Sequence, residues 1–261
     1  MKMKCYRPSY KFDAVATRGK LIAWIRNWFA ENGPDCNAVI GISGGKDSTI
    51  AAALCVEALG KDRVIGVLMP NGEQYDIGDS YEVVKHLGIK YIEVNIQKAV
   101  YGVQSAILDA MQLHKSNIQF MQSKQAEFNL PPRIRMTTLY AVSQSNNGRV
   151  VNTCNLSETM IGWETRWGDA VGDFSPFANL TATEVIAIGE TMDIPQHLVK
   201  KTPADGLCGS TDEDSFGFTY AVLDRYLRMG EIEKQDDKNK IDAKIRNNWF
   251  KHSPIPAFEL D

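Results

Sequence analysis

Paired thiols, clustered histidines, long apolar runs and a strong charge of either sign are all missing from this chain of 261 residues. The five cysteines, Cys5, Cys36, Cys55, Cys154 and Cys208, are odd in number, scattered and never spaced Cys-x-x-Cys. That argues against a disulfide framework and against a thiolate zinc site. His86, His114, His197 and His252 lie far apart without metal-ligand spacing, which leaves them surface or capping roles. A net charge of -3 and a pI near 5.9 offer no basic face for nucleic acid or a membrane surface, so any anion must be bound by a local cluster. No apolar run approaches the length of a membrane span, and the N-terminus has no apolar secretion core, so the expected location is cytoplasmic. There is no internal repeat and no Gly-x-x-x-x-Gly-Lys-Ser/Thr string. With 44% hydrophobic and 23% charged residues, the chain reads as one α/β domain over 1–261, with a tail at 1–13 and a C-terminal helix and tail at 231–261.

What is present is concentrated after the apolar run Ala38-Val39-Ile40-Gly41-Ile42, where Ser43-Gly44-Gly45-Lys46-Asp47-Ser48 opens a helical stretch ending at Gly60. A strand feeding a glycine turn and then a helix leaves several backbone N–H groups aimed at one point, where an anion can sit. The two glycines let the backbone approach that anion, and Ser43 and Ser48 add hydroxyl donors. Asp47 does not belong among phosphates unless a divalent cation lies between them, so the loop implies nucleotide phosphate binding with magnesium.

Residues 14–32 place Leu21, Ile22, Ile25, Trp28 and Phe29 on one helical stripe closed by Gly33-Pro34. Strands at 38–42, 63–69 and 89–94 alternate with helices at 48–59 and 77–87. This alternation predicts a Rossmann-like, doubly wound parallel sheet of about five strands, with its ligand site at the strands' carboxyl ends. A helix follows at 98–112, then a polar, Gln-rich segment at 112–129 read as a loop and ended by Leu130-Pro131-Pro132. A helix at 133–145 and a fourth strand at 149–153 lead into a glycine-rich functional loop at 155–176. Thr181-Ala182-Thr183-Glu184 is a capping-box start for a helix to Met192, 203–214 is a second long loop, and helical spacing resumes at 216–229 and 231–248.

Thr153-Cys154-Asn155-Leu156-Ser157-Glu158 follows the fourth strand and so reaches the same sheet edge as the Ser43 loop, which makes Glu158 available as a second magnesium ligand. The segment continues as Gly162-Trp163-Glu164-Thr165-Arg166-Trp167-Gly168-Asp169-Ala170-Val171-Gly172-Asp173. Arg133-Ile134-Arg135-Met136 precedes Leu139-Tyr140, and Asp212-Glu213 precedes Gly217, Tyr220 and Leu223-Asp224-Arg225-Tyr226-Leu227. From about residue 20 to 230 the chain thereby resembles the ammonia-dependent NAD synthetases, N-type ATP pyrophosphatases of the adenine nucleotide alpha hydrolase-like fold. The resemblance implies a homodimer that amidates deamido-NAD with ammonia and ATP through an acyl adenylate, releasing AMP and pyrophosphate. It implies that Gly41, Ile42, Ser43, Gly44, Gly45, Lys46, Asp47, Ser48 and Thr153 bind ATP, and that Asp47 and Glu158 hold Mg2+. Arg133, Arg166 and Asp173 would contact deamido-NAD, joined by Lys251 near the C-terminus, and Asp47, Ser48 and Asp173 would be catalytic.

Three positions depart from that pattern. Leu180-Thr181-Ala182 lacks the usual lysine on the ATP phosphates, Pro203-Ala204-Asp205 lacks a usual hydroxyl, and Phe250-Lys251 replaces a His-Lys pair, while Arg166 keeps the charge of a usual lysine. Lys46, Lys200 or Lys201 could supply the missing cation. Trp163 and Trp167 are candidates to stack on a base or to anchor their loop. About 40 residues precede the phosphate loop, too few for a glutaminase domain, so free ammonia is the expected donor unless a separate glutaminase subunit docks. The loops at 162–176 and 203–213 are expected to close over the adenylate. The alternatives are a non-catalytic ATP and deamido-NAD binding module, or an ATP pyrophosphatase that adenylates another carboxylate.

Overall fold

A computed structural model describes residues 6, 11–114, 123–201, 211–252 and 255–258. Along the chain run α1 (Ala14–Asn32), β1 (Asn37–Gly41), α2 (Lys46–Leu59), β2 (Val64–Leu68), α3 (Ile77–Leu87), β3 (Lys90–Glu93), α4 (Gln97–His114) and α5 (Lys124–Ser145). They are followed by β4 (Gly148–Val150), α6 (Leu156–Ile161), α7 (Ala182–Gly189), α8 (Gln196–Val199), α9 (Asp212–Phe216), α10 (Tyr220–Met229) and α11 (Gln235–Asn248).

The four strands form one parallel sheet in the order β3-β2-β1-β4, with Ala38 opposite Val64 and Arg149, and Val67 opposite Ile92. Strand alternation divides the apolar residues between two layers. Ala38, Ile40, Ile42, Val64 and Leu68 pack under α1, α2, α3 and α7 with Ile25, Phe29, Ile50, Leu54 and Val185. Val39, Val67 and Met69 face the other side, against Ile96, Val100, Ile134 and Leu139 from α4, α5 and the turn before α4. A third cluster of Leu156, Ile161, Ala182, Phe216, Tyr220, Leu223 and Ile241 joins α6, α7, α9, α10 and α11 beside the sheet. β1 is the switch point, because the chain leaves it toward β2 on one side and later returns to β4 on the other. A crevice opens there at the carboxyl ends.

The predicted pattern is corrected in four places. The sheet has four described strands rather than about five, and beyond β4 only a single parallel bridge, Val151 with Phe174, extends the pairing. The polar segment is not all loop. Residues 115–122 lie outside the described residues, but α5 already begins at Lys124, with the Ser123 hydroxyl accepting from Ala126 N–H, and it runs through Pro131 and Pro132. The prolines are tolerated because tertiary contacts hold that turn: Pro131 is buried, and Asn129 Oδ1 accepts a 2.7 Å bond from the Thr165 hydroxyl. The loop at 155–176 holds a short helix, α6, and the predicted loop at 203–214 ends in α9, while 202–210 lies outside the described residues. Thr181 caps α7 through a capping box with Glu184, as expected. Among the described residues no helix is long and apolar enough to cross a membrane.

Candidate active site

The loop after β1 is held open by its own hydroxyls. Ser43 Oγ lies 3.1 Å from Ser48 Oγ and accepts from Gly45 N–H, and Ser48 and Thr49 both donate to the Gly45 carbonyl. Gly44 has φ +76°, and a Cβ there would come within 2.9 Å of Asp79 Cβ and 3.0 Å of Ser80 N, so only glycine fits. Gly45 caps α2 without a side chain, which leaves the helix start facing the crevice.

Opposite, Asn155 caps α6 by accepting from Ser157 and Glu158 N–H, while Glu158 Oε2 accepts from Asn155 N–H at 3.2 Å. The same Asn155 donates to Asp47 Oδ1 at 3.3 Å, so one amide ties the two predicted metal ligands together. Burial, and after it the Asp47 charge, pushes the Glu158 carboxyl up to about 8. Two carboxylates brought together where neither is well hydrated fit a divalent cation, whose charge would relieve their repulsion.

Ser43, Gly45, Asp47, Ser48, Thr153 and Glu158 line one cavity of about 260 Å³, which Cys154, Trp163, Glu164, Asp169 and Asp212 complete. Lys46 lies beneath it, 3% exposed, with Nζ 2.6 Å from Asp47 Oδ2 and 5.5 Å from the centre of the Tyr220 ring. Gly41 ends β1, and Ile42 is core, so any contact it makes with a ligand is through its backbone. The remaining predicted residues stand apart from this cavity. Arg166 lies 4.9 Å over the Trp167 ring and 5.8 Å from that of Phe250, and the exposed Arg133 donates to the Arg166 carbonyl at 3.4 Å. Lys251 Nζ is engaged by the Gly162 and Glu164 carbonyls. Asp173 closes β4, accepting from Val150 N–H at 2.6 Å, with the Tyr140 hydroxyl 3.4 Å from its other oxygen.

Sequence reasoning did not single out Asp212, Cys154, Glu164 or Asp169 as site residues. Each lay inside a motif it quoted, but their shared wall depends on α6, α9 and the loop between them. Trp163 packs edge-on to Phe216 at 4.7 Å, a loop anchor, and Trp167 holds φ +64° beside the Arg166 guanidinium. Of the candidate replacement cations, Lys200 pairs with Glu190 and Lys201 with Asp76 and Asp79. Lys46 is the one that reaches the acids. Ala182 is fully buried and donates its N–H to Ser157 Oγ, and Ala204 lies outside the described residues. Cys36, Cys55 and Cys154 are buried free thiols, and burial holds Cys55 up at about 12. His86 and His197 meet Asp193 O and Glu82, and His252 lies 3.4 Å from Glu164.

Comparison with known proteins places the whole chain in one family. The family model for NAD synthase matches residues 18–252. The chain belongs to the NAD synthase family. Its relatives include the NH3-dependent NAD(+) synthetase of Pyrococcus furiosus, 37% identical over 92% of this chain and 88% of that protein. Among solved structures, the NMN synthetase of Francisella tularensis superposes with a TM-score of 0.83 at 29% identity, covering 96% of this chain and all of that one. The NH3-dependent NAD synthetase of Campylobacter jejuni superposes with a TM-score of 0.72 at 25% identity, over 95% of this chain and all of that one. As a member of the NAD synthase family the chain is an enzyme of the ligase class, and ATP is its co-substrate.

Proposed function

We propose that this enzyme amidates deamido-NAD with ammonia at the expense of ATP. The observation that carries the reading is the meeting, in one cavity, of the Ser43–Ser48 phosphate loop with Asp47 and Glu158, in a chain related to ammonia-dependent NAD synthetases. A carboxylate oxygen is too poor a leaving group for ammonia to displace in water, so the pyridine carboxylate first attacks the α-phosphorus of ATP. An acyl adenylate forms and the bond to pyrophosphate breaks. Ammonia then attacks the acyl carbon, AMP departs with the bonding electrons, and the nitrogen loses a proton. Ser43, Ser48 and the α2 N-terminus bind the pyrophosphate oxygens, where preorganised donors act most strongly. Magnesium held by Asp47 and Glu158 would supply neutralisation of the charge on the departing pyrophosphate. The chain's own part is positioning and electrostatics, without a covalent nucleophile. Arg133, Arg166 and Lys251, gathered around the 162–168 loop, are assigned to the acid substrate, with Asp173 fixing β4 beneath them.

A second reading concerns the size of that substrate. The fit to an NMN synthetase, at a TM-score of 0.83, favours the mononucleotide acid as the alternative carboxylate. Purified protein with ATP, magnesium and ammonium is expected to form AMP and NAD in equal amounts from deamido-NAD, and glutamine should not replace ammonium. A higher kcat/KM for nicotinic acid mononucleotide would transfer the assignment to the shorter substrate, and binding of ATP without AMP release would leave only a binding module. Asp47→Asn and Glu158→Gln should each lower AMP formation by about a hundredfold or more, the scale of losing one preorganised electrostatic contact.

We further assign a homodimer in the cytoplasm. The exposed apolar side chains Tyr91, Ile92, Tyr101, Val103, Ile107 and Leu108 on β3 and α4 support the first as a face for a second copy. The buried free thiols are in keeping with a reducing compartment.

A further inference from the structure

Lysine is a poor choice for the first residue of a helix whose N-terminus binds anions, because the helix dipole places positive potential there and burial removes the ammonium's hydration. Lys46 occupies that position at 3% exposure. What offsets both penalties is the carboxylate set around it. Nζ lies 2.6 Å from Asp47 Oδ2, Glu158 and Asp212 also act on its charge, and the Tyr220 ring, whose hydroxyl donates to Asp212 Oδ2 at 3.1 Å, lies beneath it. Asp47, Glu158, Glu164, Asp169 and Asp212 all line this cavity, and the Lys46 ammonium is in direct contact with Asp47.

We propose that Lys46 is a positioning residue for the ligase reaction, a tethered cation that shares the Asp47 carboxylate with a divalent ion. It holds the Asp47 carboxylate by Oδ2, while Asn155 holds Oδ1. It also competes with a metal for the same oxygen. Ala182 packs in one cluster with Tyr220, and Lys46 Nζ lies 5.5 Å from the centre of that ring. The proposal rests on the reading of Asp47 and Glu158 as metal ligands.

Direct Mn2+ binding, followed by electron paramagnetic resonance at pH 8.5 without nucleotide, tests it. Lys46→Gln keeps a hydrogen-bond donor near Asp47 and removes the charge, and it should bind Mn2+ about tenfold more tightly than the natural chain, the scale of deleting one like charge beside a divalent ion. Lys46→Met, which fills the same space without a donor, should shift affinity in the same direction if Lys46→Gln proves too unstable to measure. A merely structural lysine would loosen the site and weaken binding, so unchanged or weaker Mn2+ affinity in a variant that still melts cooperatively overturns the proposal. Mn2+ whose free-ion signal is undiminished by the natural chain would overturn the metal reading itself, and this inference with it.

Discussion

Lys201 shows how a single side chain can be placed for stability next to a reactive centre. Its ammonium bridges Asp76 and Asp79 at 2.7 and 2.5 Å, joining the segment after α8 to the start of α3. Burial alone would raise the Asp76 carboxyl, but the hydrogen bonds from Lys201 and Gln74 outweigh it and hold it below its ordinary value. Burial likewise works against the Lys201 ammonium, and the two acids more than reverse it, so its pKa is raised. A carboxyl depressed in the folded state contributes stability above its unfolded pKa and loses it as pH falls through the folded one, and a raised lysine does the converse at the alkaline end. Lys201→Met should therefore cost about 1 kcal/mol, given that the pair is partly solvated, between roughly pH 5 and 9. The deficit should shrink below about pH 4, where unfolded aspartate takes up its proton. Melting temperatures of the two proteins across pH would show it, and a deficit independent of pH would deny the ion pair its role.

Among the elements, the phosphate loop was legible from sequence because its signal is local: strand, glycine pair, hydroxyls and helix lie within about 20 residues of one another. Helix α5 was misread at its start because Pro131-Pro132 is a sound local breaker, and the contacts that override it come from Thr165 and the loop around Gly168, more than thirty residues away. α6 was hidden by its six-residue length, although Asn155 and Glu158 do form a capping pair. The clasp on its far end is purely tertiary. Gly162 ends α6 at φ +67°, and a Cβ there would lie 2.2 Å from Asn248 Cβ on α11. Asn248 also donates to Ile161 O, and Lys251 to Gly162 O. Gly162→Ala should cost about 2 to 4 kcal/mol, from the positive φ together with the overlap. A fall in Tm of about 5 °C or more is then expected by differential scanning calorimetry. No loss would mean α11 is not fastened there.

For the molecule as a whole, the order β3-β2-β1-β4 leaves β3 as an edge with all four residues exposed. A groove of about 460 Å³ runs beside it, lined by Ile65, Tyr91, Ile92 and Val142. It exceeds the candidate active-site cavity in size but holds none of the acids or glycines of that site, and an apolar groove next to an exposed strand suits a protein surface better than a nucleotide. Light scattering should give twice the chain mass for the natural protein, and Ile107→Glu should shift it toward a single chain by placing a charge on that face. A natural protein that runs at one chain mass would remove the homodimer assignment. None of this was readable from periodicity, which identifies an apolar stripe without saying whether a core or a second copy covers it.

The 162–168 loop also provides its own optical signal. Of the five tryptophans in the chain, Trp163 and Trp167 lie in that loop, and Trp249 leads into the segment whose Lys251 pins it. Trp24 and Trp28 instead pack against Phe174, with ring centroids 6.2 and 4.6 Å away. Trp163 lines the candidate cavity, where an arriving purine or pyridine ring can quench its emission. Occupancy of the enzyme can be followed in a cuvette without a label, with Trp163→Phe and Trp167→Phe separating the two reporters.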